Sequence, residues 1–65
     1  MTDPNDYLLS ERDVAAVLAV KPSAVESWRR KGTGPEWIRV GRLVRYRRSA
    51  VERYLAENTV SPEAA

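Results

Sequence analysis

The chain has 65 residues, 11 Lys and Arg against 9 Asp and Glu, and neither Cys nor His. One small domain of this length retains only about 3–5 kcal/mol of net stability, which leaves little for an enclosed active site. The missing residue types exclude disulfide staples, thiolate metal sites and the commonest general base.

The net charge of +2 conceals a strong partition. Residues 1–28 set Asp3, Asp6, Glu11, Asp13 and Glu26 against Arg12 and Lys21. Residues 29–48 set Arg29, Arg30, Lys31, Arg39, Arg42, Arg45, Arg47 and Arg48 against Glu36 alone. Residues 49–65 return to acidic, with Glu52, Glu57 and Glu63 against Arg53. A basic centre between acidic ends points to a polyanionic partner, and arginine in preference to lysine favours phosphate and base recognition. A solvated arginine surface is the bland alternative.

Residues 1–7 lack periodicity and read as a flexible tail. Ser10 and Asp13 have the spacing of a capping box in its Asp variant, with Leu9 and Val14 placed as a hydrophobic staple. Val14, Val17 and Leu18 give an apolar stripe, so a first helix of about two turns ends near Leu18. Ala19-Val20-Lys21 connects it to a second helix that starts with Pro22 at its first position and stops at Gly32. Val20 is expected to turn inward between the two helices. Gly32-Thr33-Gly34-Pro35 reads as a loop.

Trp37 to Val40 and Leu43 to Tyr46 alternate apolar and charged residues, as half-buried strands do. Parity suggests a three-residue loop, Gly41-Arg42-Leu43. That register pairs Val40 with Val44, Arg39 with Arg45 and Ile38 with Tyr46, leaving one face for helices and one for arginines. Arg48 to Asn58 forms a third helix with Val51, Tyr54 and Leu55 inward. Residues 59–65 read as a second tail, so the domain is expected over residues 8–58. The expected fold is mainly α with a small β-hairpin: three short helices plus a two-stranded wing, a winged helix-turn-helix.

On a helical wheel of the second helix, Val25 and Trp28 mark the buried side, and Ser23, Ser27 and Arg30 lie opposite. Small hydroxyls let a helix sit deep in a major groove, where serine reads base edges and arginine forks onto guanine O6 and N7. Pro22, Glu26 and Lys31 flank this face. Glu26 at its edge accepts from cytosine N4 or repels phosphate. Arg42 at the hairpin tip suits an adjacent minor groove. Arg39, Arg45, Arg47 and Arg48 are candidate phosphate contacts, since facing arginines and cations at a helix start are otherwise unfavourable. The same features also fit a solvated surface. Trp28 and Tyr46 are read as core and not as a base-stacking platform, because a domain this small needs its aromatics inside. Trp37 falls on the face opposite Ile38. Scattered carboxylates and the lack of a phosphate loop argue against catalysis and against any cofactor or metal.

The runs Leu8-Leu9-Ser10-Glu11-Arg12-Asp13-Val14-Ala15, Leu18-Ala19-Val20-Lys21-Pro22-Ser23-Ala24-Val25 and Trp28-Arg29-Arg30-Lys31-Gly32 resemble the excisionase branch of the MerR-like winged-helix proteins. Ile38 through Tyr46 and Arg48 through Leu55 continue the likeness. The resemblance implies a second helix that reads the major groove through Ser23, Ser27 and Arg30, and a wing whose tip is Arg42. It implies a recombination directionality factor of a phage or integrative element, which bends DNA and assists an integrase without catalysing anything. It also implies copies binding side by side. The long dimerisation helix and effector domain of MerR regulators are not expected here. A small MerR-like transcriptional regulator on direct repeats is the alternative, and a protein–protein adaptor is a third. No membrane partner is expected, and the place of action is the bacterial nucleoid or a phage-infected cytoplasm.

Overall fold

The structure is a computed structural model and describes residues 5–62. Its elements in chain order are β1 (Leu8–Leu9), α1 (Glu11–Leu18), α2 (Pro22–Lys31), β2 (Ile38–Val40), β3 (Leu43–Arg47) and α3 (Arg48–Glu57). The strands form one antiparallel sheet in the order β1-β3-β2.

Ser10 starts α1 as the sequence requires. Its Oγ accepts from the Asp13 amide at 3.1 Å, and Asp13 Oδ2 accepts from the Ser10 amide at 3.1 Å. Both helices of the α1–α2 pair close in the same way. The amide of Val20 donates to Ala15 O and that of Ala19 to Ala16 O; Thr33 donates to Trp28 O and Gly32 to Arg29 O. These nested bonds are Schellman motifs, which satisfy the last carbonyls of each helix. In α1 the left-handed position falls to Ala19, at φ 57°. Val20, the next residue, turns inward against the core. The three-residue connection is thus a paired stop and start: Schellman closure, then Pro22 opening α2.

The core draws on every large element: Val14 and Ala15 from α1, Val25 from α2, Tyr46 from β3 and Val51 from α3. Leu9, Leu18, Val20, Trp28, Trp37 and Val44 pack around it. Each buried aliphatic side chain stabilises by about 1.5–3 kcal/mol relative to exposure. Gly34, at φ +80°, lies against Trp28; a Cβ there would sit 3.0 Å from Trp28 Cβ. A side chain at that position would crowd the indole over which the loop closes.

Four expectations are corrected. First, the hairpin turn has two residues, Gly41-Arg42, not three: Val40 faces Leu43, Arg39 faces Val44 and Ile38 faces Arg45. Gly41 takes φ +61° and Arg42 does not take a positive φ, the pattern of a glycine-first hairpin turn whose twist matches the strands. Turn geometry outweighed apolar parity, and Val40 and Leu43 remain about half exposed, at 46% and 52%. Arg39 and Arg45 consequently lie on opposite faces.

Second, the sheet has a third strand. Leu8 and Leu9 pair with Arg47 and Tyr46. Third, residues 5–7, read as part of a tail, dock on α3. Tyr7 O accepts from the Arg48 amide at 3.0 Å, and Asn5 O accepts from Arg48 Nε at 2.9 Å. Asp6 caps α3 from a distance, accepting from the Ser49 amide and Ser49 Oγ, both at 2.7 Å. Residues 1–4 of that tail, and 63–65 of the second, lie outside the described residues.

Fourth, Val17 and Leu55 are exposed, not inward. The buried arc of α1 is centred between Val14 and Ala15, and Val17 lies about 60° to the far side of Val14. Val17, Leu55, Tyr7, Leu9 and Val51 line a shallow apolar groove edged by Arg48 and Glu52.

Candidate nucleic-acid interface

Helix α2 exists because Pro22 fixes its first φ and Gly32 ends it, with Arg29, Arg30 and Lys31 in the last turn where cations complement the helix dipole. Val25 is fully buried. Trp28 packs on the core and lies 6.0 Å from the Tyr54 ring. The opposite side is open: Ser23, Glu26, Ser27, Arg30 and Lys31 line one shallow surface depression. Pro22, Ser23, Arg30 and Lys31 are exposed, while Glu26 and Ser27 are half-buried. The three polar positions singled out from the wheel, Ser23, Ser27 and Arg30, thus share one continuous surface with the flanking Glu26 and Lys31. Arg30 Nη2 lies 2.6 Å from Glu26 Oε1, one helical turn back.

Arg29 is the residue that sequence reasoning missed. It points inward, Nε donating to Glu11 Oε2 at 2.8 Å. This ion pair is partly shielded and fastens α2 to the first turn of α1. The hydrogen bond to Glu11 holds the Arg29 guanidinium above its ordinary pKa. The same guanidinium lies 5.5 Å from the Trp37 ring, and so does that of Arg39. Trp37 therefore joins α2 to the root of the wing. One signal was available: on the wheel Arg29 falls about 40° from Val25, on the inward side. Its partner, 18 residues away, was not visible locally.

The wing arginines divide. Arg42 is exposed at the turn, and among the described residues its side chain has no hydrogen-bond or ion-pair partner. Arg47 is exposed at the end of β3. Arg39 is exposed beside Trp37. Arg45 is half-buried and its Nη1 donates to Val44 O at 2.7 Å. Arg48 is held within the molecule: besides Asn5 it donates to Glu52 at 2.5 Å and lies 5.8 Å from the Tyr7 ring. The structure brings the α2 set together and brings Arg39 toward α2 through Trp37, but Arg48 belongs to the latch between the N-terminal segment and α3.

Two further groups titrate away from their ordinary values. Burial pushes the Tyr46 phenol up, reinforced by the nearby Glu11 carboxylate. The Ser49 amide, then its hydroxyl, holds the Asp6 carboxyl down. Among the described residues no cluster of His, Cys, Asp or Glu is arranged to hold a metal ion. No helix there is long and apolar enough to cross a membrane.

A capped helix, a three-residue turn, a second helix with one exposed polar face, and a β-hairpin joined to it define the class: a winged helix-turn-helix module, a DNA-binding architecture. The family model described as a helix-turn-helix domain matches residues 8–59, and the chain belongs to that family. No curated protein and no solved structure matches the chain.

Proposed function

We propose that this protein binds double-stranded DNA sequence-specifically, with α2 in the major groove and the wing on the neighbouring minor groove or backbone, and that it bends DNA as an excisionase-type directionality factor. It would assist an integrase and catalyse nothing itself. The observation that supports this reading best is the open surface of Ser23, Glu26, Ser27, Arg30 and Lys31 on α2, against a fully buried Val25 behind it. Ser23, Ser27 and Arg30 supply base contacts. Arg42, Arg39 and Arg47 supply phosphate or minor-groove contacts, and the half-buried Arg45 a lesser one. Arg48 is the weakest member of the set, since docking on phosphate would cost it Asn5 and Glu52. The excisionase role rests on the sequence resemblance.

Binding to a cognate duplex should fall by about 0.9 log units per log unit of salt for each phosphate neutralised. A flat salt response removes the DNA reading. For the directionality role the decisive assay is strand exchange with the integrase of the same element. Stimulated excision supports it; no effect on either direction, with altered promoter occupancy instead, favours a small transcriptional regulator.

A further inference from the structure

The Glu26–Arg30 pair lies on the exposed face of α2, Glu26 at its edge, with the two side chains 42% and 72% exposed. At that exposure an i,i+4 ion pair adds little to the fold, too little to explain a carboxylate on a surface meant for a polyanion. Every phosphate that approaches Arg30 also meets Glu26. The charge on Glu26 therefore works against sequence-independent attraction, which arises from the backbone.

Base edges are different. The pair presents a donor, Arg30 Nη2, and an acceptor, Glu26 Oε1, 2.6 Å apart. In the major groove a G·C pair presents the complementary set: guanine N7 and O6 accept, and cytosine N4 beside them donates. Guanine O6 and cytosine N4 are themselves separated by one hydrogen bond, about 2.9 Å. The guanidinium keeps its other N–H groups for guanine, and Glu26 keeps Oε2 for the cytosine amino group. A T·A pair also sets an acceptor beside a donor, but it offers the guanidinium one acceptor and a methyl where guanine offers two.

We propose that Glu26 and Arg30 act as one unit that reads a single G·C base pair and penalises every other contact. Glu26 is then the specificity-determining residue: it lowers affinity for DNA in general and restores it at one base pair. This rests on the DNA-binding reading of α2.

The test uses the full chain, wild type and Glu26→Gln, with matched far-UV circular dichroism. The probes are a duplex enriched by the wild-type protein from a random library, its single-base-pair replacements, and an unrelated duplex of equal length. Glutamine keeps the size and removes the charge. The expected result is that Glu26→Gln binds the unrelated duplex about tenfold tighter and loses most of the preference at one G·C pair. In an Arg30→Ala background the same replacement should change that base-pair preference less than it does beside Arg30, and an equal change in both backgrounds would overturn the single unit. An unaltered ratio of specific to unrelated binding in Glu26→Gln overturns the inference while leaving DNA binding intact. If the wild-type protein enriches no duplex at all, the DNA-binding reading falls and takes the inference with it.

Discussion

Arg29 Nε and Glu11 Oε2 meet at 2.8 Å, joining the last turn of α2 to the first turn of α1, while the same guanidinium flanks Trp37 at the root of the wing. One side chain thus touches both the partner helix and the root of the hairpin. Its neighbour Arg30 points the other way, to the exposed face. The division of two adjacent arginines between an inward ion pair and the exposed face follows from the 100° step of a helix.

Glu11→Ala should therefore destabilise the fold by about 1–2 kcal/mol, because it leaves a partly shielded guanidinium without its acceptor. Arg29→Lys should not restore stability, since an ammonium lacks the planar fork that serves Glu11 and Trp37 together. A double-mutant cycle by urea unfolding checks the coupling; strict additivity would mean that the pair contributes nothing.

Acid should unfasten the N-terminal segment. The Asp6 carboxyl is held below its ordinary value of 3.8 by the Ser49 amide and hydroxyl. Because the folded-state value is the lower one, its stabilisation is present above 3.8 and disappears as pH falls through the folded value. Asp6→Asn should flatten the acid limb of the Tm–pH curve below 3.8 and lower Tm at neutral pH. A variant whose acid limb superimposes on the wild type would contradict the cap.

At the alkaline end the sign reverses. The buried Tyr46 phenol titrates above 10.0, so its neutral form stabilises the fold below 10.0 and that contribution is lost as pH rises through the folded value. Absorbance titration of phenolate should show one tyrosine ionising late, together with unfolding, and Tyr46→Phe should remove that step.

Ala19 offers a stabilising replacement. It holds the left-handed closing position of α1 at φ 57°, where an L side chain costs about 1–2 kcal/mol and glycine costs no steric strain. After the entropy that glycine loses on folding, Ala19→Gly should gain roughly 0.5 kcal/mol, seen as a higher urea midpoint with the same slope.

The opposite outcome is expected at Gly34. There φ is +80° and a Cβ would press on Trp28 at 3.0 Å, so Gly34→Ala combines backbone strain with displacement of the indole. A cost of about 2–3 kcal/mol and altered Trp fluorescence should follow.

Local chemistry in the chain was enough to determine the α1 cap at Ser10, the Pro22 start and Gly32 stop of α2, the inward side of Val25 and Trp28, and the presence of a hairpin. All of these depend on groups within about four residues of one another, or on a period that repeats along the chain. The hairpin register was decided otherwise, because glycine-first turn geometry overrode the apolar alternation and left Val40 and Leu43 outside. The strand pairing of Leu8 and Leu9, the distant cap from Asp6 and the burial of Arg29 against Glu11 and Trp37 also awaited the tertiary fold. Partners as far as 43 residues apart acquire an interaction energy only once packing has brought them together, so no local pattern encodes them.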